Sequence, residues 1–490
     1  MSSSLATAAG VATPVLSASV NPATLLSPLD ISIIIASVAL TLAIGWYAGL
    51  KRAGATAEIA DYLVMGRRLT LPLFTMSLIS TWYGGIFGVT AIAFDSGVFN
   101  FVTQGLFWYG TYIFFALVLV HRVARFKAIT LPELVTQLYG RPAGRVSAVF
   151  GFFNMLPVAY SLSLGIFVQF LTGMALVPAI FLGTIIVIAY SAFGGMRSDV
   201  WTDGLQTILM FVSVGALVVY SVSTFGGVDW LRANLPETHF HPLGTVGLAQ
   251  TLLWGFIALG TLVDPTFYQR CFAAKDPATA RRGILLATFF WFIFDIMTTA
   301  CGMYARAALP PGVSGNDSFL VYGLQVLPDG MRGLLIAGIL ATIMSTVDSF
   351  NFVAATTVNY DLIGQKSVFH RWRYALGVAI CGLISAGLAT TFDGSIKDVW
   401  KTFGAYWAGC LVVPVLAGLM RERAGEDGSR MASRVFIIAS VTAAIGITIW
   451  RWMPRSGIWA DVDDLYIGLI LSSACVFLMR GRVNSVGSGL

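Results

Sequence analysis

Long apolar runs joined by short polar links set the rhythm of this chain. Thirteen runs predict membrane-crossing helices at about 30–50, 70–95, 100–122, 143–169, 175–193, 199–225, 246–268, 282–306, 331–360, 373–392, 400–420, 432–451 and 463–480. The runs are continuous rather than short and alternating, so helices and not a closed barrel are expected to span the bilayer. One amphipathic stretch, Ile129 to Leu138, predicts a helix lying on the inner surface, and Asp317 to Leu327 a short outer helix.

Two runs are interrupted. The second contains Ser80-Thr-Trp-Tyr-Gly-Gly85, a glycine pair amid polar and aromatic residues. The seventh carries Gly255, Gly260 and an Asp264-Pro265 step. Each opens a block of five runs, and because five is odd the second block enters the membrane from the opposite side. Matched breaks in two inverted blocks point to the binding site of a secondary transporter. Unwound backbone there offers carbonyls to a cation and helix N-termini to an anionic group. The alternative is that Gly only eases helix packing and Pro only kinks.

In the run from Leu334 to Val358, Thr342, Ser345, Thr346 and Ser349 recur at i, i+3, i+4 and i+7, one helical stripe of hydroxyls. Asp348 lies about 60° beyond that stripe. A carboxylate among hydroxyls at membrane depth is costly unless satisfied, and a small hard cation prefers such oxygen ligands. The competing reading is that these hydroxyls bond back to their own helix.

Composition agrees with the pattern. The chain is 57% hydrophobic and 11% charged, with a mean hydropathy of +0.80. Its net charge of +6 does not indicate a nucleic-acid partner, because 23 of the 30 Lys and Arg residues fall in alternate loops, from Lys51 and Arg52 through Arg270 to Arg482. By the positive-inside rule those loops are cytoplasmic, which sets the N-terminus outside and the C-terminus inside. Residues 1–29 hold no Lys or Arg and are expected to form a flexible outer tail rather than a signal peptide. The five cysteines lie in or beside apolar runs, so no disulfide framework is expected.

Several stretches in order resemble the sodium:solute symporter family. They are Asp61 to Leu69, Leu131-Pro-Glu-Leu134, Gly194-Gly-Met-Arg-Ser-Asp-Val-Trp-Thr-Asp-Gly-Leu-Gln206, Gln269 to Asp276 with Ala280-Arg-Arg-Gly283, and Ala341 to Thr346. The resemblance spans roughly residues 30 to 420 and implies an all-α, LeuT-like five-plus-five inverted repeat. The repeats would be 70–225 and 246–420, within one transporter domain 30–490, with one extra helix before them (30–50) and two after (432–480).

It also implies site residues. The main sodium ion would take the backbone carbonyls of Ser80, Tyr83 and Thr342 and the hydroxyls of Ser345 and Thr346. Such a neutral oxygen cage suits a monovalent cation better than calcium or magnesium. Asp203 matches an acid that in some relatives helps hold a second sodium, here beside Asp348 and Ser349. Asp348 stands where a hydroxyl is usual; two neighbouring carboxylates would bind sodium more tightly or share a proton, since like charges do not sit together cheaply. Asp203 alternatively is a structural acid bonded to backbone or Arg, and Asp348 alternatively rotates outward.

For the solute, Thr81, Trp82, Tyr83, Gly84 and Gly85 are expected to face a central cavity, opposite Trp254, Asp264 and Phe267. Asp264 either favours an amine or caps the helix after the break. Asp295 is a buried acid with no evident partner, and Trp108 and Tyr109 read as interface-belt residues.

The function expected is sodium-coupled symport of a small polar organic solute by alternating access in the bacterial inner membrane. Sodium is the coupling ion, no organic cofactor is implied, and one copy is expected to suffice. Proton-coupled or mixed symport is the alternative mechanism. A transporter-like sensor would need an output module, and only Val483 to Leu490 follow Arg482. No nucleophile–base set argues for an enzyme, and His239 and His241 in an outer loop are a weak metal pair.

Overall fold

The computed structural model describes residues 16–50, 59–192, 194–244, 247–364, 370–421, 433–459 and 462–486. Lys51, Arg52, Lys366, Arg423, Arg430 and the first 15 residues of the expected tail lie outside the described residues. Among the described residues, nine helices are long and apolar enough to cross a membrane, and shorter apolar helices at Leu71–Ser80, Ile86–Ser96, Leu176–Ala189 and Asp464–Met479 accompany them.

Both expected interruptions are real. The first separates Leu71–Ser80 from Ile86–Ser96. The second separates Gly247–Ala258 from Pro265–Ala273 through a 3₁₀ turn, Leu259–Val263. A third was not anticipated: the run at 143–169 divides into Arg141–Met155 and Val158–Thr172 at Pro157. Pro157 has no N–H to continue the ladder, and its ring disfavours helical backbone at the residue before it, Leu156, which is extended.

How deeply each helix is buried decides which one organises the rest. The hydroxyl-bearing span Met331–Leu362 has 89% of its most apolar window buried, against 17% for Pro28–Gly49. The former is therefore central, and the latter turns side chains such as Ile35 and Trp46 outward, where lipid would cover them. Gly338 lets the central helix approach Gly195–Phe225 closely, since a Cβ there would lie 1.9 Å from Ser213 Oγ.

The described part of the expected tail makes hydrogen bonds to the rest of the chain. Ser17 N donates to Gln325 Oε1 at 2.6 Å, and Arg332 Nη1 donates to the carbonyl of Leu25 at 2.9 Å. Asp30 then accepts from Gly330 N at 2.8 Å and Gly333 N at 2.6 Å, capping the start of the central helix. A carboxylate on free helix N–H groups is favourable, so this segment is docked by polar bonds that hydropathy does not register.

At the opposite end the two broken stretches are stitched together. Leu69 N donates to Ala273 O at 2.9 Å, and Lys275 N returns to Leu69 O at 3.2 Å. Before this bridge the chain makes a left-handed turn at Met65, Gly66 and Arg67, with φ of 52°, 59° and 60°. The turn aims Arg67 Nη2 at the carbonyl of Ala128, 3.0 Å away. The surface helix Leu131–Tyr139 begins with a capping-box variant. Thr130 Oγ1 accepts from Glu133 N at 3.2 Å, and Glu133 Oε2 accepts from Ile129 N at 2.9 Å.

Candidate functional site

At the first break the helical ladder ends at Ser80 and resumes from the carbonyl of Gly85, which accepts from Gly88 N and Val89 N. The carbonyls of Ser80 and Tyr83 thus stand off the regular ladder. Gly84 faces Thr346 so closely that a Cβ would meet Thr346 Cβ at 2.5 Å, and a Cβ on Gly85 would meet Trp400 Cζ2 at 2.1 Å. Both glycines are required by close approach.

Thr346 Oγ1 donates to Ser80 O at 3.3 Å and Thr342 O at 3.2 Å, bringing three of the five expected ligand residues together. The hydroxyl of Thr342 bonds back to Gly338 O at 2.7 Å, so only its carbonyl faces the site.

The hydroxyl stripe continues into an acidic cluster. Asp203 Oδ1 accepts from Ser345 at 2.7 Å and Asp203 Oδ2 from Ser77 at 2.6 Å. Asp199, one helical turn before Asp203, accepts from Ser349 at 2.7 Å. An i, i+4 spacing puts both carboxylates on one face of Gly195–Phe225. Asp348 turns inward, so that one carboxylate oxygen from each of Asp199, Asp203 and Asp348 lies within 4.8 Å of the others.

Arg270 reaches this cluster. Its Nη2 lies 3.6 Å from both Asp199 Oδ2 and Asp203 Oδ2 and donates to Thr81 Oγ1 at 2.6 Å and Ser349 Oγ at 3.1 Å; its Nε donates to Ser77 Oγ at 3.0 Å. This corrects the assignment of Arg270 to an inner loop. It belongs to Pro265–Ala273, is 1% exposed, and is tolerated there because two carboxylates and three hydroxyls satisfy it. Asp199, Ser77 and Arg270 were missed as site residues. The i, i+4 acid spacing carried a signal for Asp199; nothing local carried one for Arg270.

A cavity of about 160 Å³, open on one side, adjoins the break between side chains that include Trp82, Tyr83, Gly85, Trp254 and Asp264. Five residues stand elsewhere than expected. Thr81 turns away from the cavity to Arg270, and Gly84 packs on Thr346 and Tyr160. Phe267 stands behind the wall, stacked 5.5 Å from Tyr112. Trp108 and Tyr109, read as belt residues, line the cavity instead, because their helix is interior along that face. Tyr109 also supplies the partner of Asp295, to which its hydroxyl donates.

Asp264 does two things at once. Its Oδ1 caps Pro265–Ala273 by accepting from Thr266 N at 2.8 Å, and its side chain lines the cavity. The outer-loop histidines are engaged locally. The buried His239 packs its Nε2 3.2 Å from Phe94 O, and His241 Nδ1 accepts from Leu243 N at 3.3 Å.

Residues 62–435 match the model of the sodium:solute symporter family. The osmoregulated proline transporter OpuE of Bacillus subtilis is 26% identical, covering 88% of this chain and 90% of that protein. The sodium/glucose cotransporter of Vibrio parahaemolyticus is 23% identical, covering 88% and 86%. In three dimensions the chain is similar to a Na+-coupled sialic acid symporter in a substrate-bound outward-open state. The TM-score is 0.77 at 16% identity, over 93% of this chain and 98% of the other. The fold is therefore the all-α, LeuT-like one, and these relatives are transporters rather than enzymes.

Proposed function

Since this chain belongs to the sodium:solute symporter family, we propose that it is a multi-pass secondary transporter. It couples sodium entry to uptake of a small polar organic solute by alternating access. The observation that carries this reading is the contact of Thr346 with Ser80 O across the first break. It gathers carbonyl and hydroxyl oxygens, with no charged ligand among them, at the junction of a broken helix and the central one.

In this reading sodium takes the carbonyls of Ser80, Tyr83 and Thr342 and the hydroxyls of Ser345 and Thr346. Ser345 donates its proton to Asp203, which leaves its oxygen lone pairs for the ion. Thr346 rotates to offer lone pairs in place of the proton it now shares between two carbonyls. An ion at this spot pins the central helix to the break, which also forms one wall of the solute cavity. Binding of ion and solute thereby reinforce each other.

Asp203, Asp348 and Ser349, joined by Asp199 and Arg270, form the second ion or proton site. Three ionised carboxylates against one guanidinium would leave a net charge of −2 in a dry interior. A sodium ion, a shared proton or both offset it, so mixed coupling remains the second reading, favoured by Asp348 in particular. The stitched end at Leu69 and Ala274 is the closed cytoplasmic gate, with the N-terminus outside.

The test is uptake by the purified protein in liposomes. Solute accumulation is expected only with an inward sodium gradient. Equal accumulation without sodium at clamped pH would reject sodium coupling; accumulation driven by a proton gradient alone would favour the second reading.

A further inference from the structure

Six of the chain's 13 tryptophans, Trp82, Trp108, Trp254, Trp291, Trp400 and Trp407, line the cavity beside the first break. Two carboxylates, Asp264 and Asp295, share its wall and are 4% and 2% exposed. None of the described lining residues is Lys, Arg or His. Arg270 is committed elsewhere, to Asp199 and Asp203. Two further wall atoms, Tyr83 Oη and Thr261 Oγ1, are buried without a hydrogen-bond partner, in residues 7% and 3% exposed.

These observations constrain the charge of whatever binds. The hydrogen bonds to the two acids orient them without supplying a positive charge: Tyr109 donates to Asp295, and Thr266 donates to Asp264. An anionic solute would meet two carboxylates and no compensating base in a low-dielectric space, where repulsion is strong. A cation would supply the counter-charge that both buried acids lack, and would also gain from indole and phenol faces, whose quadrupoles attract positive charge spread over carbon-bound ammonium groups. Bare sodium is poorly served here, because it prefers a cage of oxygens and 12 of the 25 lining residues are aromatic. The unpartnered hydroxyls of Tyr83 and Thr261 suit a solute that also carries a hydroxyl or amine donor.

We infer that the transported solute is a small organic cation, an amine or quaternary ammonium with no carboxylate of its own. This rests on the reading of the cavity as the solute site of a symporter. Asp264 and Asp295 are then the residues that set charge specificity.

The test uses the purified full chain with sodium held constant, following tryptophan fluorescence during titration with choline or putrescine. Choline's uncharged carbon isostere, 3,3-dimethyl-1-butanol, and the zwitterion glycine betaine serve as comparators. At least one of the two cations is expected to bind roughly tenfold or more tightly than both comparators. Asp264→Asn and Asp295→Asn keep the helix cap and the tyrosine bond but remove charge. Each is expected to weaken cation binding while leaving the isostere's weak signal unchanged.

Failure of both cations to bind, or equal or tighter binding of the isostere or of glycine betaine, overturns the inference. Sodium alone, measured by its effect on thermal stability, separates the two readings. If sodium stabilises the protein and neither cation binds, the solute class is wrong and the symport reading stands. If a cation binds and sodium does nothing, the class stands and sodium coupling falls. A retained thermal transition in each Asn variant establishes folding; if Asp295→Asn does not fold, Asp264→Asn carries the test.

Discussion

The hydroxyl of Thr346 donates to the carbonyl of Ser80 across 3.3 Å, although 266 residues separate them in the chain. That contact joins the middle of the most buried helix to the frayed end of a broken one. It brings carbonyl and hydroxyl oxygens together beside the cavity that Tyr83 and Gly85 line. Thr346→Ala or Ser345→Ala removes one such oxygen. With about 1.5–3 kcal/mol for an interaction with a charged group, the sodium concentration for half-maximal uptake should rise about ten- to a hundredfold. Sodium titration of uptake in liposomes measures this, and unchanged dependence in both variants would move the site elsewhere.

Arg270 should matter more for stability than either acid it touches. Arg270→Met leaves Asp199 and Asp203 facing each other unpaired, and breaking a buried ion pair costs about 3–5 kcal/mol. Asp203→Asn keeps an acceptor for Ser77 and Ser345 and should cost less. Adding Asp203→Leu to Arg270→Met should recover part of the loss, a coupling of about 1–3 kcal/mol. Denaturation midpoints of these three variants and of Asp203→Leu alone, in detergent, would reveal the ranking and complete the cycle; additive losses would mean that the ion pair is not coupled.

The glycine pair gives a steric prediction. A methyl group at Gly85 would stand 2.1 Å from Trp400 Cζ2 and 2.8 Å from Cη2. Gly85→Ala is therefore expected to destabilise by about 1–3 kcal/mol, as overpacking does, and to abolish uptake. Trp400→Leu in the same protein should restore most of the stability. A Gly85→Ala protein with normal midpoint and normal uptake would show that the break does not hold this geometry in the membrane.

The Leu69–Ala274 bridge supplies the test of alternating access. Bridged strands run about 4.8 Å apart, within the Cα span of about 4.4–6.8 Å that a disulfide requires. Leu69→Cys with Ala274→Cys should crosslink under oxidation and stop uptake, while sodium still raises thermal stability. Reduction should restore transport. Full uptake with the crosslink in place would mean that this end of the molecule does not open.

The hydropathy pattern determined a great deal by itself. In lipid, backbone polar groups must bond within their own segment, so the all-helical architecture, the matched breaks at Gly84-Gly85 and Asp264-Pro265, and the stripe Thr342, Ser345, Thr346 and Ser349 were legible along the chain. These are local signals, governed by helix period and by residues that break helices. Which side chains meet across the bundle was decided only by the tertiary structure. Arg270 reads as an interface marker when each residue is scored alone. Its burial becomes tolerable only because Asp199, Asp203, Ser77, Thr81 and Ser349 converge on it from three other helices. Tyr109 reads as a belt residue until Asp295 appears beside it. The free energy of a buried charge belongs to its partners, and those partners are set by packing, not by neighbours in sequence.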